Sequence, residues 1–284
     1  MSSTREIRRR IKSVKNIQQI TKAMKMVAAA RLRRAQERAS ASRPYTDKML
    51  ELLTNVAASS GEAGHALLSV RPKRRVGYVI IGADKGLAGA YTSNLVREAL
   101  PQVNGRQDVS LVTVGRKPRD YFRRRGYQID REYSGFSEKP TYEHAMQISR
   151  DIAADFEAEQ YDEIYLVYTR FISPVNTKPT TIKLLPLETS GLEDNQQGGQ
   201  EYIYEPSSAE VLNLLLPKYL ETVIYGGLLQ AAASELGARM AAMASATDNA
   251  QELISKLTLN YNKVRQANIT REISEIVGGA EALK

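Results

Sequence analysis

Cysteine is absent from all 284 residues. That absence excludes disulfides, thiol chemistry and thiolate metal ligation, and it fits a reducing compartment. Long apolar runs are missing too. None approaches the ~18 to 20 uncharged residues that cross a bilayer, so the sequence predicts membrane association only through a partner. Histidine occurs twice, at His65 and His144, and neither has a neighbouring carboxylate or serine that would make it a base. No metal-ligand spacing occurs, and Asp162-Glu163 reads as a solvated strand entry, since a catalytic carboxylate pair needs burial to push its pKa values apart.

Glycine and proline are scarce where they matter most. The first proline is Pro44 and the first glycine is Gly61, and neither type interrupts Ala238 to Val277. Both ends can therefore be single helices of about 40 residues, roughly 60 Å long at 1.5 Å per residue. Such lengths outrun the core a chain of this size can build, so each helix needs cover from the other or from a different chain. On the C-terminal helix, Leu236, Met240, Met243, Thr247, Ala250, Ile254, Leu257, Tyr261 and Val264 alternate spacings of four and three, the seam of a left-handed coiled coil. The N-terminal helix offers Ile7, Ile11, Val14, Ile17, Ile20, Met24 and Val27, with a shift of register between Val14 and Ile20.

Charge is distributed unevenly. The net charge is +8, yet residues 1 to 43 carry thirteen Lys and Arg against Glu6 and Glu37, a net of +11, leaving −3 for the remainder. Such a segment seeks an acidic partner: nucleic acid, anionic lipid or an acidic protein surface. The Arg-rich, acid-poor start resembles an organelle transit peptide, but it runs on for 40 residues without an apolar signal core. Further basic runs lie at Arg71 to Arg75 and Arg116 to Arg125. Against nucleic acid, the N-terminal charges share a helix with an apolar seam, and no aromatic-stacking signature accompanies them.

The middle of the chain has another texture. Strands are expected at Val76 to Ile81, Val109 to Val114, Asp162 to Arg170 and Thr180 to Leu187, with a helix at about Tyr142 to Glu159. This alternation predicts a mainly parallel sheet covered by helices. "TSGLEDNQQGG" at 189 to 199 reads as a surface loop and "EPSSAE" at 205 to 210 as a helix cap. Pro217 and Gly226-Gly227 are expected to bend the helical region that follows. "GADKGLAG", Gly82 to Gly89, is the single candidate phosphate cradle, because it follows an apolar strand and opens a helix. Its glycines at 82, 86 and 89 match neither G-x-G-x-x-G nor the P-loop, which favours a tight strand-to-helix turn over a nucleotide-binding enzyme. The fold class is α/β: a long antiparallel coiled coil of the terminal helices with a central Rossmann-like domain. The expected divisions are 1–60, 70–190 and 207–284.

Three segments together resemble a known family. "IKSVKNIQQITKAMKMVAAARLRRAQ" at 11 to 36, "GADKGLAGAYTSN" at 82 to 94 and "ATDNAQELISKLTLNYNKVRQANITREISEIVGGAEAL" at 246 to 283 are similar to the gamma subunits of F-type ATP synthases. The resemblance implies a non-catalytic central rotary stalk without cofactors or metals. Its terminal coiled coil would fill a ring of three alpha and three beta subunits, and its middle would lie near the epsilon subunit and the membrane c-ring. It further implies a peripheral place on the cytoplasmic side of a bacterial cell membrane, since the chain starts at "MSSTREIRRR" and has no cysteine-containing regulatory insertion. By motif, contact with an acidic beta lever falls on Lys22, Met24 and Lys25, with Arg9 and Arg10 nearby. A second contact falls on Arg265 and Gln266, and Arg239, Thr270 and Glu272 match further sensitive positions. The last 47 residues, 238 to 284, hold six basic and five acidic side chains, in keeping with a tail that turns inside an apolar sleeve.

Overall fold

In the computed structural model the described residues are 4–59, 65–106, 108–187 and 204–281. They form two compact units, one from the chain ends up to Val27 and from Met240 onward, the other from Ala28 to Arg239. Helix α1 (Thr4–Ser59) and helix α5 (Ser208–Glu281) contribute to both.

The larger unit is built on five strands: β1 (Val76–Ile81), β2 (Val109–Val114), β3 (Ile129–Tyr133), β4 (Glu163–Ser173) and β5 (Asn176–Leu185). Their order is β3-β2-β1-β4-β5. The first four are mutually parallel and β5 pairs antiparallel with β4. Helices α2 (Tyr91–Val103), α3 (Arg116–Arg123) and α4 (Tyr142–Glu157) make the crossovers, as parallel pairing requires. Both faces of the sheet are covered, so β1 reads as an unbroken apolar run, buried at all six positions. On one face Tyr78, Ile80, Leu111 and Val167 meet Leu95, Ala99 and Val103 of α2 and Phe122 of α3. On the other, Val79, Val112 and Leu166 meet Ile148, Ile152 and Phe156 of α4 and Leu53 and Val56 of α1. That face also receives Leu212, Leu216, Leu220, Ile224 and Leu228 of α5. The four-residue spacing on α5 keeps one stripe against the sheet.

The smaller unit is an antiparallel helix pair. Three contacts fix its register: Arg8 Nη2 donates to Tyr261 Oη at 2.5 Å, Gln18 Nε2 to Gln251 Oε1 at 2.8 Å, and Thr247 Oγ1 to Thr21 Oγ1 at 2.9 Å. As the chain advances on α1, its partner recedes on α5. Within this unit every expected α5 seam position, from Met243 through Thr247, Ala250, Ile254, Leu257 and Tyr261 to Val264, is buried or half-buried.

Several expectations are corrected. On α1 the covered positions are Ile7, Ile11, Val14, Gln18, Thr21 and Met24, while Ile17, Ile20 and Val27 are half or more exposed. Apolar character had put the latter in the seam, but strict continuation of the four-and-three spacing lands on Gln18 and Thr21. Helix α1 continues through Pro44 to Ser59, because burial of Met49, Leu53 and Val56 outweighs the hydrogen bond that proline removes. Helix α5 runs as one helix through Pro217 and the Gly226-Gly227 pair, where the sequence expects a bend. It starts near the expected cap, where Ser207 Oγ accepts from the Glu210 amide at 3.3 Å. Strand β3 was not foreseen, and β5 runs antiparallel at the sheet edge. The loop expected at 189–199 lies outside the described residues.

Candidate partner-contact surfaces

In the smaller unit the cations expected to meet a partner occupy exposed positions of α1. Arg9, Arg10, Lys22 and Lys25 are exposed, and among the described residues only Arg10 of the four forms an ion pair, with Glu6 at 2.9 Å. Met24 is half-buried beside them. Ile17 (50% exposed), Ile20 (58%) and Val27 (51%) share helical spacing with Met24 and form an apolar stripe on α1. The signal that could have revealed that stripe was the register shift between Val14 and Ile20. On α5 the side chains of Gln266, Thr270 and Glu272 are exposed, and the Arg265 guanidinium lies 6.0 Å from the centre of the Tyr261 ring. From Arg271 to Ala280 every side chain is exposed, Ile273, Ile276 and Val277 included.

Arg239 differs from the others. It belongs to the larger unit and is 6% exposed. Its guanidinium donates to Glu235 Oε1 at 2.6 Å, Glu138 Oε1 at 3.0 Å and the Gly86 carbonyl at 3.3 Å. Its charge is thus committed inside its own unit, which corrects its reading as a surface contact. Burial pushes the Glu235 carboxyl above its ordinary range despite the pull of Arg239. Glu138 also pairs with Arg31 and with Lys85, the latter at 3.2 Å.

The Gly82–Gly89 loop is organised around its own acid. Asp84 accepts the amides of Arg116 (3.1 Å), Gly135 (2.8 Å) and Ser137 (3.0 Å). Burial alone would raise its pKa, but these donors hold it below the usual carboxylate range. The Arg116 amide at the start of α3 and the Gly135 and Ser137 amides beyond β3 are thus occupied by a side chain of the loop itself. The glycines serve close approach: a Cβ on Gly82 would lie 2.9 Å from Leu95, and one on Gly115, where φ is +105°, would lie 2.5 Å from the Gly82 carbonyl. Both histidines have local duties. His65 Nδ1 accepts the Leu67 amide at 3.0 Å, and His144 Nδ1 accepts the Thr141 amide at 3.0 Å while its ring stacks on Phe136. Among the described residues no group of three or more potential ligands could hold a metal ion, and no helix is long and apolar enough to cross a membrane.

The chain thus combines a doubly covered, mainly parallel sheet in one unit with an antiparallel pair of long terminal helices in the other. A family model described as ATP synthase matches residues 3–283. The chain is 49% identical over 285 residues to the ATP synthase gamma chain of Desulfitobacterium hafniense and 50% identical over 285 residues to that of Desulforamulus reducens, covering 100% of each chain in both cases. Among solved structures it is similar to the central stalk and c-ring assembly of Tetrahymena thermophila mitochondrial ATP synthase. There the TM-score is 0.63 at 26% identity, over 80% of this chain and 99% of that one. A chain of the Euglena gracilis mitochondrial ATP synthase shares the fold with a TM-score of 0.71 at 20% identity, over 99% of this chain and 94% of that one. The chain belongs to the ATP synthase gamma chain family and is, with that family, a non-catalytic stalk component of a membrane-associated complex.

Proposed function

We propose that this chain carries torque between a membrane c-ring and three catalytic beta subunits of a proton-translocating F-type ATP synthase, and in doing so regulates ATP turnover and proton flow. Three alpha subunits and an epsilon subunit complete the set of partners, and the place of action is the cytoplasmic face of a bacterial cell membrane. The observation that carries the reading is the antiparallel register of the helix pair, Arg8 to Tyr261, Gln18 to Gln251 and Thr21 to Thr247. A pair zipped this way twists as one body. Its surface is uneven: Arg9, Arg10, Lys22 and Lys25 are exposed on α1 beside an exposed apolar stripe of Ile17, Ile20 and Val27. Three identical neighbours around such a shaft meet different surfaces. Each is then biased toward a different conformation, as linkage requires of any coupling without chemistry of its own.

Contact with the beta subunits is assigned to Arg9, Arg10, Lys22, Met24 and Lys25 on α1 and to Arg265, Gln266, Thr270 and Glu272 on α5. Long, exposed cations suit a moving joint because they attract acids without locking one geometry. Mixing the purified chain with alpha and beta subunits tests the proposal: a stable ATPase complex is expected, with no hydrolysis by the chain alone, and persistent failure to co-purify would sink it. Met24→Glu or Lys25→Glu should weaken coupling of hydrolysis to proton movement while assembly survives. Unchanged coupling in both removes this contact assignment.

A further inference from the structure

Within the larger unit a cleft of about 330 Å³ opens between α1, α5 and the segment that follows β3. That volume falls at the lower end of the range for small-molecule sites, roughly 300 to 1,000 Å³. Ala35, Pro140, Leu229 and Ala232 form an apolar floor, all of them buried. Around it stand Arg31, Arg34, Arg38 and Lys139 with a single acid, Glu138. That acid is already over-neutralised, since Arg31, Lys85 and Arg239 all pair with it. Arg34, Arg38 and Lys139 have no ion pair among the described residues, and all three are exposed. Like charges three and four residues apart on one helix repel, so Arg31, Arg34 and Arg38 keep an unfavourable alignment that a bound anion would relieve.

We propose that this cleft binds a soluble anionic amphiphile with a single acyl or alkyl chain, a carboxylate or phosphate held by Arg34, Arg38 and Lys139 with its chain on Ala35, Leu229 and Ala232. The charge asks for an anion, because three cations have no acid left to answer them. The floor asks for an aliphatic body, because it carries no aromatic face on which a base or ring would stack. An occupant touches α1, α5 and the Glu138 segment together, and so links the two long helices where both pack in this unit.

Titration calorimetry on the full-length chain, with dodecyl phosphate kept below its micelle concentration, tests this. Saturable binding at one site is expected, and Arg34→Gln with Arg38→Gln should weaken it about tenfold or more. Arg123→Gln with Arg124→Gln on α3 removes the same charge elsewhere and should leave the affinity within about twofold if the site is local. Inorganic phosphate should bind far more weakly and dodecyl maltoside not at all. Hydrogen exchange gives a readout independent of variants: the ligand should slow the amides near Ala35 and Leu229. No saturable binding up to ~1 mM, equal weakening in both double variants, or slowing confined to the basic start of α1 would each overturn the proposal. Binding to phosphatidic acid vesicles without binding to the monomer would also overturn it, and assign the charge to a membrane surface.

Discussion

Thr247 donates its hydroxyl to that of Thr21 at 2.9 Å, across the seam of two helices whose contacting residues lie 226 positions apart in sequence. Thr21 in turn donates to the Gln18 carbonyl at 3.0 Å, and Thr247 is also 2.7 Å from the Met243 carbonyl. Two small polar residues occupy a layer that a coiled coil would ordinarily fill with leucine, and three residues earlier on α1 Gln18 meets Gln251. Polar layers of this kind lower stability and fix register, because any slip leaves them facing apolar neighbours.

The first prediction follows from that layer. Thr247→Leu forces a larger side chain against Thr21, and overpacking should destabilise the helix pair by about 1 to 3 kcal/mol. Thr247→Ala should cost less, about 1 kcal/mol for the lost hydrogen bond. Denaturant unfolding of both variants checks the order. Equal or greater stability in Thr247→Leu would mean that the layer tolerates a large residue and does not set the spacing.

How much of this was legible beforehand depends on which signal each element carried. The α5 seam was read correctly from Met243 to Val264 because its sequence repeats without a break over three heptads. The α1 seam was misread because Ile17 and Ile20 are more apolar than Gln18 and Thr21, and apolarity was followed where spacing should have been. Strand β3 escaped notice because "IDREY" lies at a sheet edge with alternate residues exposed, and its Arg131 is held by Asp155 on α4 at 2.6 and 2.7 Å, a contact that no local pattern announces. Helix propensity stops a helix at Pro44, whereas the packing of Leu53 and Val56 on the sheet core carries it further. As for the candidate contacts, their positions came from family resemblance. Exposure agrees with a surface role for the cations of α1, and burial removes Arg239 from that set.

A second prediction concerns Asp84. Three backbone amides converge on its carboxylate, and hydrogen bonds to a charged group are worth more than neutral ones. Asp84→Ala leaves those amides without their acceptor and should destabilise the larger unit by about 2 to 4 kcal/mol. The folded-state pKa of Asp84 is lowered. Its stabilising contribution is therefore complete above the ordinary aspartate value of 3.8 and is lost as pH falls through the lower folded value. The gap between wild type and Asp84→Ala should narrow on acidification below pH 4. A gap that stays constant down to pH 2 would show that the carboxylate charge contributes nothing.

Gly115 supplies a third. Its φ of +105° suits glycine, and an added Cβ would meet the Gly82 carbonyl at 2.5 Å. Strain and clash act together here, so Gly115→Ala should cost about 3 kcal/mol or more. Gly105→Ala also has a positive φ, at +74°, but nothing within 4 Å, and should cost only about 1 kcal/mol. Thermal unfolding separates the two, and equal losses would assign the effect to strain alone.

Glu235 carries the last prediction, and its sign is opposite to that of Asp84. Burial, at 1% exposure, raises its folded pKa above the ordinary 4.5, and Arg239 at 2.6 Å offsets only part of that. A raised carboxyl pKa means that the folded state holds its proton more tightly than the unfolded state does. The associated stability is present below 4.5 and is lost as pH rises through the folded value. Glu235→Gln keeps the shape and an oxygen to accept from Arg239, but it cannot ionise. The variant should therefore gain stability relative to wild type as pH rises from about 4 to 8, with the difference levelling off above the folded pKa. Arg239 keeps Glu138 at 3.0 Å in either case, so its guanidinium is not left without an acid. Denaturant unfolding at several pH values reads the difference directly. A variant that loses ground as pH rises would mean that attraction to Arg239 exceeds the cost of burial, and that the pair stabilises this junction instead of straining it.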